Sequence, residues 1–117
     1  MIGLRAMTGE TSNDLPRVGD IDKLIHEPAR LTIMANLYVV ESASVLFHRR
    51  QTGLTLGNLS SHVSKLEEAD YIEVMKGFVD KKPRTTLSLT PAGREAFDAY
   101  RKSLSGLYND SQASTIP

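Results

Sequence analysis

Hydrophobic positions along this chain change their spacing more than once, and each change marks an element. From Met1 to Gly19 no period holds. Gly, Thr, Ser, Asn, Asp and Pro16 are mixed, so residues 1–19 read as a flexible arm. Order is expected from Asp20, where Asp20 or Asp22 can cap a short helix through His26 and Pro28 suits the first turn of the next. From Pro28 to about Val40, Leu31, Met34, Ala35 and Tyr38 form one stripe at helical spacing, and Ile33, Leu37 and Val40 a second. This helix is apolar around most of its circumference and is expected at the centre of the core.

Next, Ser42 or Ser44 can cap a short helix to about Thr52, with Val45, Leu46 and Phe47 turned inward and Gly53 ending it in a left-handed conformation. Thr55 then caps the stretch "TLGNLSSHVSKLEEADYI", in which Leu59, Val63 and Leu66 define a buried stripe. The opposite face holds Gly57, Asn58, Ser61, Ser64, Lys65 and Glu68, mostly small hydrogen-bonding residues where Ala, Glu or Lys would stabilise a helix better. Such a face suits a surface against which something large lies. The helix is expected to end near Ala69, with Asp70 as a tolerable left-handed residue. Two helices joined by a few residues containing Gly make a helix-turn-helix outline.

Beyond it the period drops to two. Tyr71 to Val74 and Thr85 to Leu89 read as strands, joined by a loop with Gly77, Asp80 and Pro83 as turn formers and Lys76, Lys81, Lys82 and Arg84 as charges. Thr90 and Pro91 open a last helix whose apolar stripe is Ala96, Phe97, Tyr100, Leu104 and Leu107. After Tyr108 the polar stretch "NDSQASTIP" has nothing to bury, and residues 109–117 are expected as a disordered tail. The reading is therefore one domain over residues 20–108. It is α+β and mainly α: a winged helix-turn-helix with a two-stranded β-hairpin wing and a C-terminal dimerisation helix.

Bulk properties narrow the function. The chain has 117 residues, 24% charged and 40% hydrophobic, which is ordinary globular composition. Lys+Arg 14 balances Asp+Glu 14, so net charge gives no general attraction to nucleic acid and any such surface must come from segregated charges. The absence of cysteine excludes disulfides, thiolate metal sites and cysteine nucleophiles. No apolar run reaches the ~20 residues that span a bilayer, and the start lacks a secretory apolar block. A cytoplasmic protein with no membrane partner is expected.

The blocks "IHEPARLTIM", "TGLTLGNLSSHVSKLEEADYI" and "KKPRTTLSLTPAGREAF", in this order, resemble the winged helix-turn-helix transcriptional regulators of the MarR and ArsR branch. The resemblance covers roughly Asp20 to Leu104. It implies a small dimeric DNA-binding protein that controls transcription. Many relatives carry Gly where this chain has Asp70, and the cysteine pair of the metal-sensing ArsR proteins is missing, which excludes thiolate sensing and leaves an effector unspecified.

Candidate sites follow. A major groove about 12 Å wide admits one helix, and Asn58, Ser61, Ser64 and Lys65 suit base edges. Thr55 and Gly57 lie at the helix N-terminus, where the dipole favours phosphate. Lys76, Lys81, Lys82 and Arg84 suit backbone or minor-groove contacts, and Arg49 and Arg50 backbone contacts. The plain alternatives are a solvated helix face, a soluble loop and surface ion pairs. A dimer surface is expected from Leu24, Ile25, Phe97, Tyr100, Leu104 and Leu107. His26, His48 and His62 lack metal-ligand spacing, and "SSH" at Ser60 to His62 cannot pair as nucleophile and base, because helix neighbours point about 100° apart. No metal, cofactor or catalytic residue is expected, and the protein is not read as an enzyme. The competing function is a winged helix used for protein contact in a larger assembly.

Overall fold

The computed structural model describes the backbone of residues 21–115 and the side chains of residues 21–107. The flexible arm expected over residues 1–19, and Asp20 as a cap, lie outside the described residues.

The chain enters at Ile21, one of the core residues. The short helix expected through His26 is a single turn. Asp22 Oδ1 accepts from the amides of Leu24 and Ile25 at 2.9 and 3.2 Å, and the His26 amide reaches the Asp22 carbonyl at 2.8 Å. Helix α1 (Pro28–Val40) follows with Pro at its start. Its cap is Glu27, whose carboxylate accepts from the Arg30 amide at 2.9 Å. Ile33, Met34 and Leu37 are fully buried, as a central helix requires. The apolar coat ends before the helix does: Val39 is 78% exposed and Val40, expected in the second stripe, is exposed too.

Glu41 turns the chain at φ 69° into strand β1 (Ser42–Ser44), which the sequence reading did not foresee. Three residues are too few to display a period. They are held by non-local pairing, Ser42 opposite Ser88 and Ser44 opposite Thr86. Ser44 is therefore the cap of helix α2 (Val45–Thr52), accepting from the Phe47 amide at 3.1 Å, while Ser42 belongs to the sheet. Gly53, at φ 70°, ends α2 in the left-handed conformation expected of it. The orientation of α2 differs from the expectation. Leu46 is 50% exposed, Val45 packs on the core, and the fully buried residue is His48.

Helix α3 (Leu56–Glu68) is capped by Thr55, whose hydroxyl accepts from the Asn58 amide at 3.2 Å, and its core stripe is Leu59, Val63 and Leu66. Its end is closed by amides of Asp70 and Tyr71 donating to the carbonyls of Glu67 and Leu66 at 2.9 and 3.0 Å, with Asp70 at φ 64°. The wing is strands β2 (Ile72–Val79) and β3 (Lys82–Leu89), antiparallel, in a sheet ordered β1-β3-β2.

Both strands run well past their expected ends. Gly77 and Pro83, read as turn formers, lie within them, opposite Arg84 and Phe78. The turn is only Asp80 and Lys81, both at positive φ (52° and 68°), the handedness a two-residue hairpin needs. Pro83 fits because a two-residue hairpin closes on a hydrogen-bonded pair. The next pair, Phe78 and Pro83, then turns its main-chain donors outward, and β1 does not extend that far.

Helix α4 (Pro91–Thr115) is capped by Thr90, whose hydroxyl accepts from the Gly93 amide at 2.8 Å. Residues 109–115, expected as part of a disordered tail, continue this helix. The core gathers Ile21, Ile25, α1, α3, Ile72, Leu87, Phe97 and Tyr100 into one cluster.

Candidate nucleic-acid interface

On α3 the face opposite Leu59, Val63 and Leu66 is open. Thr55, Gly57, Asn58, Ser61, Ser64 and Lys65 are all exposed. A Cβ placed on Gly57 would meet nothing within 4 Å, so no contact inside the molecule demands glycine there. The first turn also exposes Leu56, which the sequence reading passed over. An apolar residue beside hydrogen-bonding ones is the mixture that base edges and thymine methyl groups offer in the major groove.

The helix is braced from behind. Arg30 of α1 donates from Nε to the Leu24 carbonyl at 2.6 Å and from Nη1 to His62 Nδ1 of α3 at 2.9 Å. Guanidinium can only donate, so that histidine nitrogen is the acceptor. The approach of the same nitrogen to Glu27 at 3.7 Å is then proximity rather than an ion pair. At Glu27, desolvation opposes ionisation, but the amides of Arg30 and Ala29 and the nearby Arg30 guanidinium outweigh it and lower the carboxyl below its ordinary range. His62 thus orients α3 on α1, a role its spacing to other histidines could not reveal.

On α2, Arg49 and Arg50 are exposed and border a shallow hollow with Leu46, Gly53 and Leu54. His48 points the other way. Neither ring nitrogen has a partner, its ring stands edge-on to Phe47 at 5.3 Å, and burial lowers its pKa from the ordinary 6.5.

The wing carries Lys76, Lys81, Lys82 and Arg84, all exposed. Only Lys81 is in the turn; Lys76 lies in β2, and Lys82 and Arg84 in β3. Strand alternation therefore assigns them faces: Lys76 shares the face of Ile72 and Val74, while Lys82 and Arg84 share that of Met75 and Val79.

Net neutrality conceals a division of charge. From Ser42 to Leu66, which includes α2 and most of α3, the chain has Arg49, Arg50 and Lys65 and no Asp or Glu. From Val74 to Leu89 it has four cations and one acid, Asp80. Glu67 and Glu68 close α3 and Glu73 opens β2, so the helix-turn-helix and wing keep only a small excess of cations, concentrated on α2 and toward the wing tip. A window count along the sequence would have found this.

The expected dimer residues separate into two groups. Ile25, Phe97 and Tyr100 are buried in the chain's own core, so the expectation is corrected for them. The rings of Phe97 and Tyr100 are already engaged. Phe97 lies between Tyr38 and Tyr100 at centroid distances of 5.1 and 5.9 Å, and Tyr100 meets His26 Nδ1 at 2.8 Å. Tyr38 donates to Asp98 at 2.5 Å, with the Arg94 and Arg101 guanidiniums over its ring. Leu24 and Leu107 are half-buried and Leu104 is exposed.

Other ionisable groups serve the fold. Desolvation, reinforced by its hydrogen bond to Asp22, raises the Tyr71 hydroxyl to about 12. Among the described residues no group of His, Asp and Glu is arranged to hold a metal ion, and no helix is long and apolar enough to cross a membrane.

Known proteins agree with this geometry. The sequence pattern of the winged helix DNA-binding domain family matches residues 29–108. An uncharacterized protein of Methanocaldococcus jannaschii is 33% identical over 78 residues, 67% of this chain and 85% of that protein. The structure of a transcriptional regulator homologue from Pyrococcus horikoshii OT3 superposes with a TM-score of 0.66 at 29% identity, covering 81% of this chain and 91% of that one. The transcriptional repressor BigR from Xylella fastidiosa shares the fold, with a TM-score of 0.53 at 23% identity over 98% of this chain and 96% of its own. Such regulators bind DNA and control transcription without catalysing a reaction. This chain, with its capped helix α3 and long basic hairpin, belongs to the winged helix DNA-binding domain family.

Proposed function

We propose that the protein binds duplex DNA sequence-specifically as a homodimer, with α3 in the major groove and the wing on the flanking backbone or minor groove. The observation that carries the reading is the division of α3 into a stripe locked in the core and a face of exposed Asn58, Ser61, Ser64 and Lys65, with the acid of that face, Glu68, at the far end of the helix. Thr55 and Gly57 leave the helix N-terminus open to a phosphate. Arg49, Arg50, Lys76, Lys81, Lys82 and Arg84 hold the backbone on either side. Phosphate contacts set the register, and the small α3 side chains select the bases.

Dimerisation follows from economy of information and from α4. One recognition helix reads a few base pairs, and two helices about 34–36 Å apart double the site. Helix α4 continues about 22 Å beyond Tyr100, the last buried residue described, touches the core once more at Leu107 and exposes Leu104 on the way. A second copy is the natural cover for that surface, with Leu107 and Leu24 at its border.

Selection from a random duplex pool by the full chain tests this reading. Enrichment of an inverted repeat, with affinity falling steeply as salt rises, is the expected result. Failure to enrich any sequence, with binding insensitive to salt, would favour a protein-docking winged helix instead.

A further inference from the structure

The wing tip carries an aromatic ring that none of the described residues covers. Phe78 is 75% exposed, although phenylalanine is ordinarily a core residue. It lies about 14 Å along β2 from Val74, the last residue of that face to touch the core. Directly opposite on β3 is Pro83, so the end of the hairpin presents a ring backed by a second apolar residue.

The face is set by alternation. Ile72, Val74, Lys76 and Phe78 share one side of β2, and Leu89, Leu87, Thr85 and Pro83 share the matching side of β3. Ile72 and Leu87 on that side are buried in the same cluster as the α3 stripe. Phe78 therefore extends the helix-covered side of the sheet and not its back. The turn that carries it is short, two residues at positive φ, so the tip has little freedom to fold back.

What surrounds the ring identifies its occupant. Lys76, Lys81, Lys82 and Arg84 lie within six residues of it, opposed by Asp80 in the turn and by Glu73 at the root of β2, on the other face of the strand. An apolar tip with Lys76 on its own face, Lys81 in the turn and Lys82 and Arg84 on the other face is complementary to a groove whose floor is stacked bases and whose rims are phosphates. The minor groove is about 6 Å wide, too narrow for a two-stranded ribbon but sufficient for side chains at its tip.

We propose that Phe78, backed by Pro83, is a wedge that the wing inserts into the minor groove, partly unstacking one base step while the neighbouring cations hold the phosphates on both sides. The inference rests on the reading of the protein as a duplex-binding regulator and adds to it a second source of selectivity. Flexible pyrimidine–purine steps unstack at least cost, so the wing would favour them without hydrogen-bonding to any base.

The experiment compares the full-length protein with Phe78→Ser, Phe78→Leu and Lys82→Ala on duplexes enriched from a random pool. 2-Aminopurine is placed in turn at positions across the bound duplex. Phe78→Ser is expected to weaken binding about 10- to 100-fold, leave the salt dependence unchanged and abolish a local fluorescence rise that the unsubstituted protein produces. Phe78→Leu should keep most of both effects, and Lys82→Ala should reduce the salt dependence while keeping the fluorescence rise. Circular dichroism confirms the fold of each variant, which the exposure of Phe78 favours. Salt-dependent duplex binding with no fluorescence rise, or with Phe78→Ser binding as tightly as the unsubstituted protein, would overturn the wedge and leave the DNA-binding reading standing. A changed sedimentation coefficient of DNA-free Phe78→Ser would assign the ring to contact between copies and overturn it likewise. No binding to any duplex would remove both readings together.

Discussion

Gly93, in the first turn of α4, lies directly against the carbonyl of Tyr71, so a Cβ at this position would collide with that oxygen. The Tyr71 carbonyl is already engaged, accepting from the Thr90 amide at 3.1 Å. Thr90 in turn donates from its hydroxyl to the Asp70 carbonyl at 2.6 Å. The end of α3, the root of the wing and the start of α4 are thus fastened at one point. Neither backbone can retreat without releasing those hydrogen bonds. Gly93→Ala is expected to destabilise the fold by about 1–3 kcal/mol, lowering the melting temperature by several degrees, with no change in the surface offered to DNA. Thermal denaturation by circular dichroism checks this.

A second prediction concerns pH. His48 has a folded pKa below its ordinary 6.5 because burial disfavours the imidazolium. Between the folded value and 6.5 the unfolded chain therefore binds a proton that the folded chain does not. Stability from this group is complete above about pH 6.5 and declines as pH falls from there toward the folded value. The melting temperature should drop between pH 7.5 and 5.5. His48→Leu, which removes two unpartnered buried nitrogens while keeping an apolar side chain, should flatten that slope. An equally steep slope in the variant would show that other groups dominate.

Wing and recognition helix are expected to differ in the kind of binding they lose. Ser61→Ala and Lys65→Ala should change which base pairs are preferred, since a good base contact discriminates by ~1–3 kcal/mol. Lys82→Ala and Arg84→Ala should weaken all duplexes alike and reduce the salt slope by about one unit per lost phosphate contact. Titrations on selected and scrambled duplexes at several salt concentrations measure both quantities. Identical behaviour of the two sets would remove the assignment of base reading to α3.

For assembly, Leu104→Glu combined with Leu107→Glu should give a folded monomer by sedimentation and circular dichroism, with strongly reduced affinity for an inverted repeat. Leu104 is exposed and Leu107 half-buried, so the fold should tolerate both changes better than a substitution at Phe97 or Tyr100. A variant that stays dimeric and fully active would place the interface elsewhere.

Much of this molecule is written locally in its sequence. Thr55, Thr90 with Pro91, Gly53 and Asp70 set helix starts and ends as expected, because caps and left-handed residues act through the backbone within a few positions of themselves. The stripe of Leu59, Val63 and Leu66 fixes which side of α3 faces the core, and so which small polar residues face outward. The candidate interface on α3 was readable for that reason.

Tertiary structure decided what depends on distant partners. Strand β1 exists because Ser42 to Ser44 pair with residues more than forty positions away. The turn of α2 that buries His48 and exposes Leu46 is set by what the sheet and α1 leave room for, against the hydrophobic preference of either residue. The wing is longer than Gly77 and Pro83 suggested, because a residue that weakens a strand in general is harmless where its outer edge has no neighbour. Ile25, Phe97 and Tyr100 were apolar candidates for a partner surface on the sequence alone. Burial depends on which elements converge, and in the folded chain they close the core, leaving Phe78 with Val79 on the wing tip and Leu104 on the last helix among the large apolar side chains presented outward.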